Sequence, residues 1–576
     1  MAKQRRQADS SVQAGTCAPG ASPLCLWASS TTLMRPSHAT ELAGWQQLTL
    51  VAGERVSVVG CAHARCERGS AWMHGHRLAP GGEALLRSLP DVGSTTVLEG
   101  GHDGAVVALR ALVDDGATAA ENASALRVTT YADAAAAGHA TIVTQARRTA
   151  TCHAVRNSLV ASQEWRDACN AIAAQAASGL RVCAVVCGPK GAGKSTLTRL
   201  LVNTLQSATK RAVGLLDADC GAPEVTPPGV LSLSLLDQPL LGAPAARLGA
   251  PDAPAPLECR FIGDISPASD PAAYAAAVHS LLAVWGGAGS PAAAHTALVI
   301  NTMGWVRGLG LELLAELLRG CSPTHVLYVR ASGSTPDDRS AGVPRALFWA
   351  LQACSEADAS APPCRVLELA AAPRVAVAEP GGVPDAAQQM PQRRSATDAR
   401  ALLWAAWACA ACEPAAAHRW AMMLAPGGAG EAAAFAYVAA ALAAAKPYSV
   451  PISSVRCRLL HGAVPADDAL RVLNGALVAL VAEVAAGSRC LGLGLVRSVD
   501  ASAGVLHLLT PLPPGLASTV TTLVVGRLEL PAALLTAPLH ASPYLTAWAL
   551  AQEGSGGAAM RSRNNLQRGT ATFARQ

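Results

Sequence analysis

The chain has few aromatic and few charged side chains for its length. Aromatic residues make up 4% of the 576 residues and charged residues 15%, whereas hydrophobic residues make up 51%. The longest apolar run, residues 432–445, is rich in alanine and shorter than the ~20 residues of a membrane span. The first residues also lack the apolar core of a signal peptide. We therefore expect no membrane partner, and a chain long enough for about three or four domains.

The cysteines lack the regular spacing of a disulfide framework or a zinc site. The 17 cysteines are scattered and odd in number, which indicates reduced thiols in an intracellular protein. One CxxC pair, Cys409 and Cys412, lies in an alanine-rich helical stretch, and we interpret it as packing because no second pair accompanies it. The formal net charge of +5 gives mild support for a polyanionic partner.

A glycine-rich motif organises the middle of the chain. The sequence GPKGAGKST fits the P-loop pattern G-x-x-x-x-G-K-[ST]. The apolar run VCAVVC before it predicts a buried parallel strand, and leucines at helical spacing follow it. A strand, a turn and a helix in this order point backbone N–H groups at one spot, which suits the phosphates of a nucleotide. The predicted nucleotide-binding residues are Gly188, Pro189, Lys190, Gly191, Ala192, Gly193, Lys194, Ser195 and Thr196.

Acidic residues end the next predicted strand. The sequence AVGLLDAD places Asp217 and Asp219 at the carboxyl end of a strand that we expect beside the P-loop strand, facing the phosphate crevice. There a carboxylate can bind Mg²⁺ or accept a proton from an attacking hydroxyl. Lys194 is expected to bridge the β- and γ-phosphates from a solvent-facing loop, and the Ser195 hydroxyl to hold Mg²⁺. CGAPEVTPPG, residues 220–229, predicts a rigid loop over this site.

Two further stretches complete the predicted α/β sheet. RFIGDISPASDPAAY places Asp264 and Ser266 in a turn before a helix, and LVINTMGWVRGLG predicts a strand, a turn and the start of a helix. Trp305 in that turn either stacks on a nucleic-acid base or belongs to the core. Gly304 and Gly308 favour the first alternative because they suggest an open, flexible turn. HVLYV supplies another strand.

The fold class predicted is α/β: a P-loop NTPase-type parallel sheet flanked by an N-terminal β-sandwich-like domain and a C-terminal mostly β domain. Residues 1–40 are expected to be a disordered tail, in which the basic KQRR is either a nuclear address or solvated charge, and a mitochondrial presequence stays open. The predicted ranges are 41–150 for the N-terminal domain, 160–425 for the P-loop domain with an irregular insertion at 331–392, 440–550 for the C-terminal domain, and 551–576 for a basic tail.

The chain resembles polynucleotide 5′-hydroxyl kinases in a series of motifs that occur in the family's order. These are GPKGAGKST, the acidic strand and loop at residues 216–229, FIGDISP, NTMGWVRGLG and PTHVLYV. The C-terminal stretches KPYSVPISSVRCRLLHGAVP, CLGLGLVRSVD and VVGRLELP are similar to the nucleolar branch that acts in pre-rRNA processing. The resemblance covers residues 41–550, and the serial motifs are far more specific than the P-loop alone.

This resemblance implies phosphorylation of the 5′-OH end of RNA with ATP and Mg²⁺. Asp219 stands where the family has the aspartate that activates the hydroxyl, and Ser195 and Asp219 are the implied metal ligands. Ala222 and Val225 depart from the family's Gln and Phe. The family's RNA clasp resembles Thr302, Gly304 and Trp305, and its mobile lid resembles residues 390–405, in which the lid arginines are sought among Arg393, Arg394 and Arg400.

The resemblance also implies an endonuclease partner in a processing complex, and a location in the nucleus, within it the nucleolus. Two hypotheses from different classes remain. One is an active kinase, which the intact Lys194, Ser195 and Asp219 favour, and the other is a nucleotide-binding scaffold in which Ala222 marks weakened catalysis. The role of the sister kinase in tRNA and mRNA processing is a further alternative. Arg456 and Arg458 contact RNA or a partner, or form a solvated strand face; these alternatives stay open.

Overall fold

The computed structural model of the chain contains four β-sheets within the part that it describes. The described residues are 45–88, 96–111, 127–130, 158–159, 161–250, 252–287, 297–331, 342–357, 363–371, 374–375, 395–412, 420, 423–424, 430–461, 473–484 and 487–535. The predicted tails, most of the predicted insertion, and Arg393 and Arg394 lie outside these residues. Within this part of the chain, no helix combines the length and apolar character needed to cross a membrane.

The N-terminal sheet is antiparallel and is built on two long paired strands. Its strands are β1 (Trp45–Leu50), β2 (Arg55–Met73), β3 (His76–Leu78), β4 (Glu83–Ser88), β5 (Thr96–Ala111) and β6 (Arg127–Thr130). An antiparallel sheet agrees with the β domain predicted here, and β2 continues through Gly60 and Gly69 as one long strand. The β2–β5 register shifts next to both glycines. These glycines mark bulges, which bend a long strand without ending it.

The central sheet has the strand order β11-β10-β9-β12-β8-β13-β14. Its strands are β8 (Val182–Cys187), β9 (Val213–Asp217), β10 (Val230–Leu236), β11 (Pro256–Phe261), β12 (Ala297–Asn301), β13 (His325–Val329) and β14 (Arg365–Leu369). Strands β9, β12, β8, β13 and β14 are parallel, and β10 and β11 are antiparallel additions. The apolar runs predicted as strands are buried along β8, β9, β12 and β13, as expected for a parallel sheet covered on both faces.

Helices cover both faces of this sheet. They are α1 (Gln163–Ala177), α2 (Lys194–Thr209), α4 (Pro271–Gly286), α5 (Leu309–Cys321) and α6 (Arg345–Ala357), whereas the short helix α3 (Pro244–Arg247) packs in a different core. Apolar residues of α1 and α2, including Trp165 and Leu201, form the core on one face. Apolar residues of α4 and α5, including Tyr274 and Leu318, form the core on the other. A short antiparallel pair, β7 (Ser158–Leu159) and β15 (Arg374–Val375), lies outside the central sheet.

The strand order corrects one expectation from the sequence. The strand that ends at Asp217 does not lie beside the P-loop strand, because β12 lies between β9 and β8 and is parallel to both. Asn301 is paired with Asp217 on one side of β12 and with Val186 on the other. The turn after β12 therefore leaves the sheet between the acidic residues and the P-loop.

The C-terminal sheet completes the described chain. Its strands are β16 (Tyr448–Pro451), β17 (Arg456–Leu459), β18 (Leu477–Val484), β19 (Gly487–Asp500), β20 (Val505–Leu509) and β21 (Thr522–Val525), in the order β16-β20-β19-β18-β21-β17. The accompanying helices are α7 (Ala396–Cys412), α8 (Glu431–Ala444), α9 (Pro514–Ala517) and α10 (Ala532–Leu535). Apolar residues of α7 and α8 pack in one core with β18, β19 and β21. Cys409 lies in this core, which agrees with its interpretation as packing.

Candidate active site

The P-loop connects β8 to α2 in a conformation that requires glycine. Gly188 and Gly193 have φ of 138° and 108°, a backbone region that other residues rarely adopt. A Cβ on Gly188 would lie 2.2 Å from the carbonyl oxygen of Val329, and one on Gly193 would lie 2.8 Å from the ring of Trp165. The loop is thus held between β13 and α1. The sequence motif predicts this strand, turn and helix correctly.

Lys194 is the first residue of α2, and its side chain is not solvent-facing as expected. The residue is only 6% exposed, and its Nζ donates a hydrogen bond to the carbonyl oxygen of Pro189 at 3.2 Å. Burial lowers the pKa of Lys194, and the negative charge of Asp219 opposes this shift. The ammonium group therefore lies over the loop, within electrostatic reach of the acidic residue.

Asp217 is fully buried and is engaged by neighbouring groups. Its Oδ1 accepts hydrogen bonds from Nδ2 of Asn301 at 2.9 Å and from the backbone N–H of Asp219 at 3.3 Å. Its Oδ2 accepts a hydrogen bond from the backbone N–H of Glu224. Burial raises the pKa of Asp217 to about 7, although these hydrogen bonds oppose the shift. Asp217 thus fastens the loop after β9 to the neighbouring strand.

Asp219 presents one carboxylate oxygen to its own loop. Its Oδ1 accepts hydrogen bonds from the backbone N–H groups of Gly221 at 2.9 Å and Ala222 at 3.0 Å. Among the described residues, no hydrogen bond is formed by Oδ2. Burial raises the pKa of Asp219, while the positive charge of Lys194 lowers it. The carboxylate is therefore oriented by the loop with one oxygen available for a ligand or a proton.

The turn after β12 lies against the P-loop. Thr302 is buried, and its hydroxyl donates to the carbonyl oxygen of Val186 at 2.9 Å. A Cβ on Gly304 would lie 2.6 Å from Cα of Lys190, so the open setting expected for Gly304 is wrong. Trp305, in contrast, is 36% exposed, and its indole packs closely on Gly310 of α5. Thr302 and Gly304 fix the turn, and Trp305 is the most exposed member of this trio.

Arg400 is the candidate lid arginine that the described structure places near these groups. It lies in the first half of α7, is half-buried, and has a hydroxyl oxygen of Thr397 3.3 Å from its guanidinium. Burial lowers the pKa of Arg400, and the charge of Asp219 opposes the shift. Arg400 is therefore within electrostatic reach of Asp219. Arg394 cannot be compared with it, since it lies outside the described residues.

The turn that contains Asp264 and Ser266 packs against the site and supports it. Ser266 caps a short 3₁₀ helix, and the Asp264 carboxylate accepts a hydrogen bond from the hydroxyl of Ser269 at 3.2 Å. The carbonyl oxygen of Ile265 would lie 2.9 Å from a Cβ on Gly221. The predicted turn before a helix is confirmed, and it forms a wall beside the loop that carries Asp219.

Sequence reasoning missed a buried charged group next to the P-loop. The carboxylate of Glu224 accepts a hydrogen bond from Arg247 at 2.7 Å and lies 3.5 Å from Nε of Arg199. All three side chains are at least nine-tenths buried. The available signals were a glutamate inside a proline-rich loop and an arginine within the apolar sequence of α2.

The donor atoms in the site fit Mg²⁺ bound together with phosphates. The described part of the chain contains no cluster of three or more His, Cys, Asp and Glu residues that could hold a metal alone. Ser195 and Asp219 offer a hydroxyl and a carboxylate oxygen beside the P-loop. Mg²⁺ is usually bound by one or two such protein oxygens, with water and substrate phosphates as the other ligands. The residues present therefore match this ion better than one that needs an all-protein cage.

Comparison with known proteins identifies two matching family models. The model for the mRNA cleavage and polyadenylation factor CLP1 P-loop matches residues 188–342, and the model for the NOL9-like C-terminal domain matches residues 443–531. The polynucleotide 5′-hydroxyl-kinase NOL9 of Arabidopsis thaliana is 32% identical over 395 residues, which cover 68% of this chain and 96% of that protein.

More distant relatives extend the comparison. The polynucleotide 5′-hydroxyl-kinases NOL9 of Danio rerio and Homo sapiens are 28% and 27% identical, over 66% and 61% of this chain. The aligned region covers 50% of each of those two proteins. The solved structure of a wild-type Clp1p–Pcf11p complex has a TM-score of 0.48 and 12% identity, and the match covers 84% of this chain and 97% of that one.

Proposed function

This chain belongs to the polynucleotide 5′-hydroxyl-kinase family, and from this premise we propose that it transfers the γ-phosphoryl group of ATP to the 5′-OH end of an RNA chain. The observation that carries the proposal is the Asp219 carboxylate, whose Oδ1 is held by the backbone N–H groups of Gly221 and Ala222 and whose charge opposes the lowering of the pKa values of Lys194 and Arg400. Two cations around one oriented carboxylate suit a reaction in which a neutral hydroxyl attacks a highly charged phosphate.

The P-loop binds the phosphates of ATP. Its backbone N–H groups and the N-terminus of α2 bind the β- and γ-phosphates, and Lys194 neutralises charge on the transferring group. Mg²⁺, held by Ser195 and Asp219, supplies further charge neutralisation when it is bound. The free oxygen of Asp219 orients the 5′-hydroxyl and accepts its proton. Phosphoryl transfer needs little beyond such positioning and electrostatic stabilisation.

The turn after β12 binds the RNA that accepts the phosphoryl group. Trp305 stacks on a base near the 5′ end, while Thr302 and Gly304 keep the turn against the P-loop. Stacking on an aromatic side chain is typically worth about 1–3 kcal/mol for each base and depends little on sequence. Arg400 and Arg394 stabilise the triphosphate from the lid.

The biological setting follows from the same family. We place the reaction in pre-rRNA processing in the nucleolus, together with an endonuclease partner whose cleavage leaves 5′-OH ends. The net charge of +5 is consistent with an RNA substrate. The role in tRNA or mRNA processing is the alternative, and a direct comparison of pre-rRNA and tRNA-exon substrates with 5′-OH ends separates the two.

One observation favours a second candidate, a nucleotide-binding scaffold. Ala222 replaces the Gln of the family pattern, and only its backbone N–H contacts the Asp219 carboxylate. A missing amide side chain would weaken metal or phosphate organisation. This candidate predicts nucleotide binding without turnover.

The test is phosphoryl transfer from γ-labelled ATP to a purified 5′-OH RNA oligonucleotide. We expect label on the RNA in the presence of Mg²⁺, and none on the same oligonucleotide carrying a 5′-phosphate. Lys194→Ala should abolish transfer because the phosphate-bridging cation is lost. ATP binding without transfer by the wild-type protein would instead support the scaffold, and transfer by Lys194→Ala at the wild-type rate would refute the site.

A further inference from the structure

A buried ion group connects the P-loop helix to the loop that carries Asp219. Glu224 lies in that loop, Arg199 in α2 and Arg247 in α3. The Glu224 carboxylate accepts a hydrogen bond from Arg247 at 2.7 Å and lies 3.5 Å from Nε of Arg199. The Glu224 side chain is 1% exposed. Such a buried group is costly to desolvate, so it is weak evidence for stability by itself.

The arginine of α2 also holds the start of its own helix. Its Nε donates to the carbonyl oxygen of Ser195 at 3.3 Å, and one Nη donates to the hydroxyl of Thr196 at 3.5 Å. The other Nη donates to the carbonyl oxygen of Gly242 at 2.9 Å. Arg199 therefore contacts the two P-loop residues that follow Lys194 as well as Glu224.

The glutamate is connected in turn to the acidic residues. The backbone N–H of Glu224 donates to Oδ2 of Asp217, whose Oδ1 accepts the N–H of Asp219. A continuous series of contacts thus runs from Ser195 through Arg199, Glu224 and Asp217 to Asp219. Its two ends are the residues that the proposed reaction requires in a fixed relation.

We propose that Glu224 is a positioning residue that, through Arg199, sets the distance between the Asp219 carboxylate and the phosphate-binding end of α2. This inference rests on the proposed kinase function. Catalysis by orientation is sensitive to displacement, and a shift of about 1 Å can cost about 100-fold in rate. In the proposed mechanism Glu224 contacts neither phosphate nor hydroxyl, so its loss should lower kcat and leave the KM for ATP largely unchanged.

Arg247, the third member of the group, allows Glu224 to be replaced without leaving a second buried charge unpaired. Nε and Nη1 of Arg247 are buried without a hydrogen-bond partner in the described structure. Glu224→Gln alone would leave two buried arginines without their carboxylate and could unfold the protein. The double variant Glu224→Gln, Arg247→Met keeps the net charge of the group and removes those unpartnered donors. Arg199 then loses its carboxylate but keeps its hydrogen bonds to Ser195, Thr196 and Gly242, and removal of both partners of the Glu224–Arg247 pair is often nearly neutral for stability.

The experiment compares wild type, the double variant and Arg87→Met in thermal melting, ATP binding and single-turnover phosphorylation of 5′-OH RNA. Arg87 is the matched control, because it is a buried arginine near Arg247 whose guanidinium pairs with Asp252 rather than with Glu224. For the double variant we expect a melting temperature close to wild type, at least a tenfold lower kcat and a nearly unchanged KM for ATP. For Arg87→Met we expect a lower melting temperature, because Asp252 loses its partner, with an unchanged kcat per folded molecule.

A wild-type kcat together with a wild-type melting temperature in the double variant would overturn the inference, because Glu224 would then be only a charge partner. Amide hydrogen exchange of residues 217–226 gives a second readout that needs no activity. We expect faster exchange there in Arg199→Lys, because lysine keeps the charge but lacks the guanidinium that contacts both the P-loop and Glu224. Unchanged exchange would also overturn the inference. A wild-type protein that transfers no phosphate would refute the proposed function alone.

Discussion

Two carboxylates two positions apart in the chain have very different surroundings. Asp217 accepts hydrogen bonds from one side-chain amide and two backbone N–H groups and has its pKa raised to about 7. Asp219 uses one oxygen for the loop and has Lys194 and Arg400 nearby. The first therefore organises the backbone, and the second is available for chemistry.

Replacement of each aspartate should distinguish the structural role of Asp217 from the chemical role of Asp219. Asp219→Asn removes the proton acceptor with little change in shape, so we expect kcat to fall by about 100-fold or more with ATP binding retained. Asp217→Asn puts amide hydrogens against existing donors, and we expect a loss of about 1–3 kcal/mol in the free energy of unfolding. Single-turnover kinetics, ATP titration and melting on both variants measure the two effects. A larger direct effect of Asp217→Asn on kcat per folded molecule would mean that the roles are reversed.

The two tryptophans near the P-loop allow a matched comparison. Trp305 is 36% exposed, so Trp305→Ala should change the melting temperature little but lower RNA phosphorylation by about tenfold, through lost stacking. Trp165 is 0% exposed, so Trp165→Ala should cost about 3–5 kcal/mol of stability. Melting and kinetics on the same preparations decide the matter. A large drop in melting temperature with normal activity for Trp305→Ala would make it a core residue.

At the residue scale, the sequence predicts the site where the signal is local. Lys194, Ser195 and the P-loop glycines follow from spacing alone, because one strand, one turn and one helix form this part. The group of Arg199, Glu224 and Arg247 could not be predicted in this way. Each of its contacts joins different elements, so the folded chain must bring them together before their pairing is visible.

At the scale of elements, the turn after β12 and the P-loop form one unit. Gly304 is the point of closest approach, since a Cβ there would lie 2.6 Å from Cα of Lys190. We expect Gly304→Ala to push the two loops apart and to weaken ATP binding by about tenfold, in keeping with the sensitivity of such sites to small displacements. ATP titration measures the effect.

The control for this variant is Gly286→Ala, because a Cβ at Gly286 would meet nothing within 4 Å and the residue lies at the end of α4. It should bind ATP like the wild type. Equal ATP affinity of Gly304→Ala and the control would show that the turn and the loop are independent.

Strand identity was predictable from the sequence, but strand order was not. VCAVVC and HVLYV are strands with the predicted bounds, because continuous apolar β-branched runs have few alternatives. The position of β12 between β8 and β9 depends on how residues 218–296 return to the sheet, for which local periodicity holds no information. The same limit applies to β2, which continues through bulges at Gly60 and Gly69 rather than ending at either glycine.

At the scale of the whole molecule, the N-terminal sheet is docked on the P-loop helix. The carbonyl oxygen of His74 accepts a hydrogen bond from Asn203 at 2.9 Å, and the N–H of Arg77 donates to the hydroxyl of Ser207 at 3.1 Å. A cavity of about 200 Å³ remains between the sheet and helices α1 and α2, and the His74 ring lies in its wall. The docking therefore places a titratable ring between two parts of the fold.

This ring should make the docking sensitive to acid. Burial, together with the charge of Arg199, lowers the pKa of His74 from 6.5 to about 4. The unfolded chain then binds more protons than the folded one between these values, so stability falls as the pH falls through this window. Because the ring is only partly shielded from solvent, we expect the free energy of unfolding to be lower by about 1 kcal/mol at pH 5 than at pH 7.

The comparison is with His74→Asn, since asparagine tolerates the positive φ of 45° at this position. Unfolding free energies at pH 7 and pH 5 should differ less for His74→Asn than for the wild type. Equal pH dependence of the two proteins would assign the acid sensitivity to other groups.

The insertion of β12 between β8 and β9 also has a consequence for biosynthesis. On the ribosome, both outer strands are complete before residues 218–296 have been made, and only then does the strand that joins them appear. Until that moment the nascent chain carries two apolar strands with unpaired edges, a form prone to association with other chains. Slow translation across 218–296, or truncation within it, should therefore favour aggregation and capture by chaperones, whereas a pause after residue 329, when β13 is also available to pair with β8, should do so less.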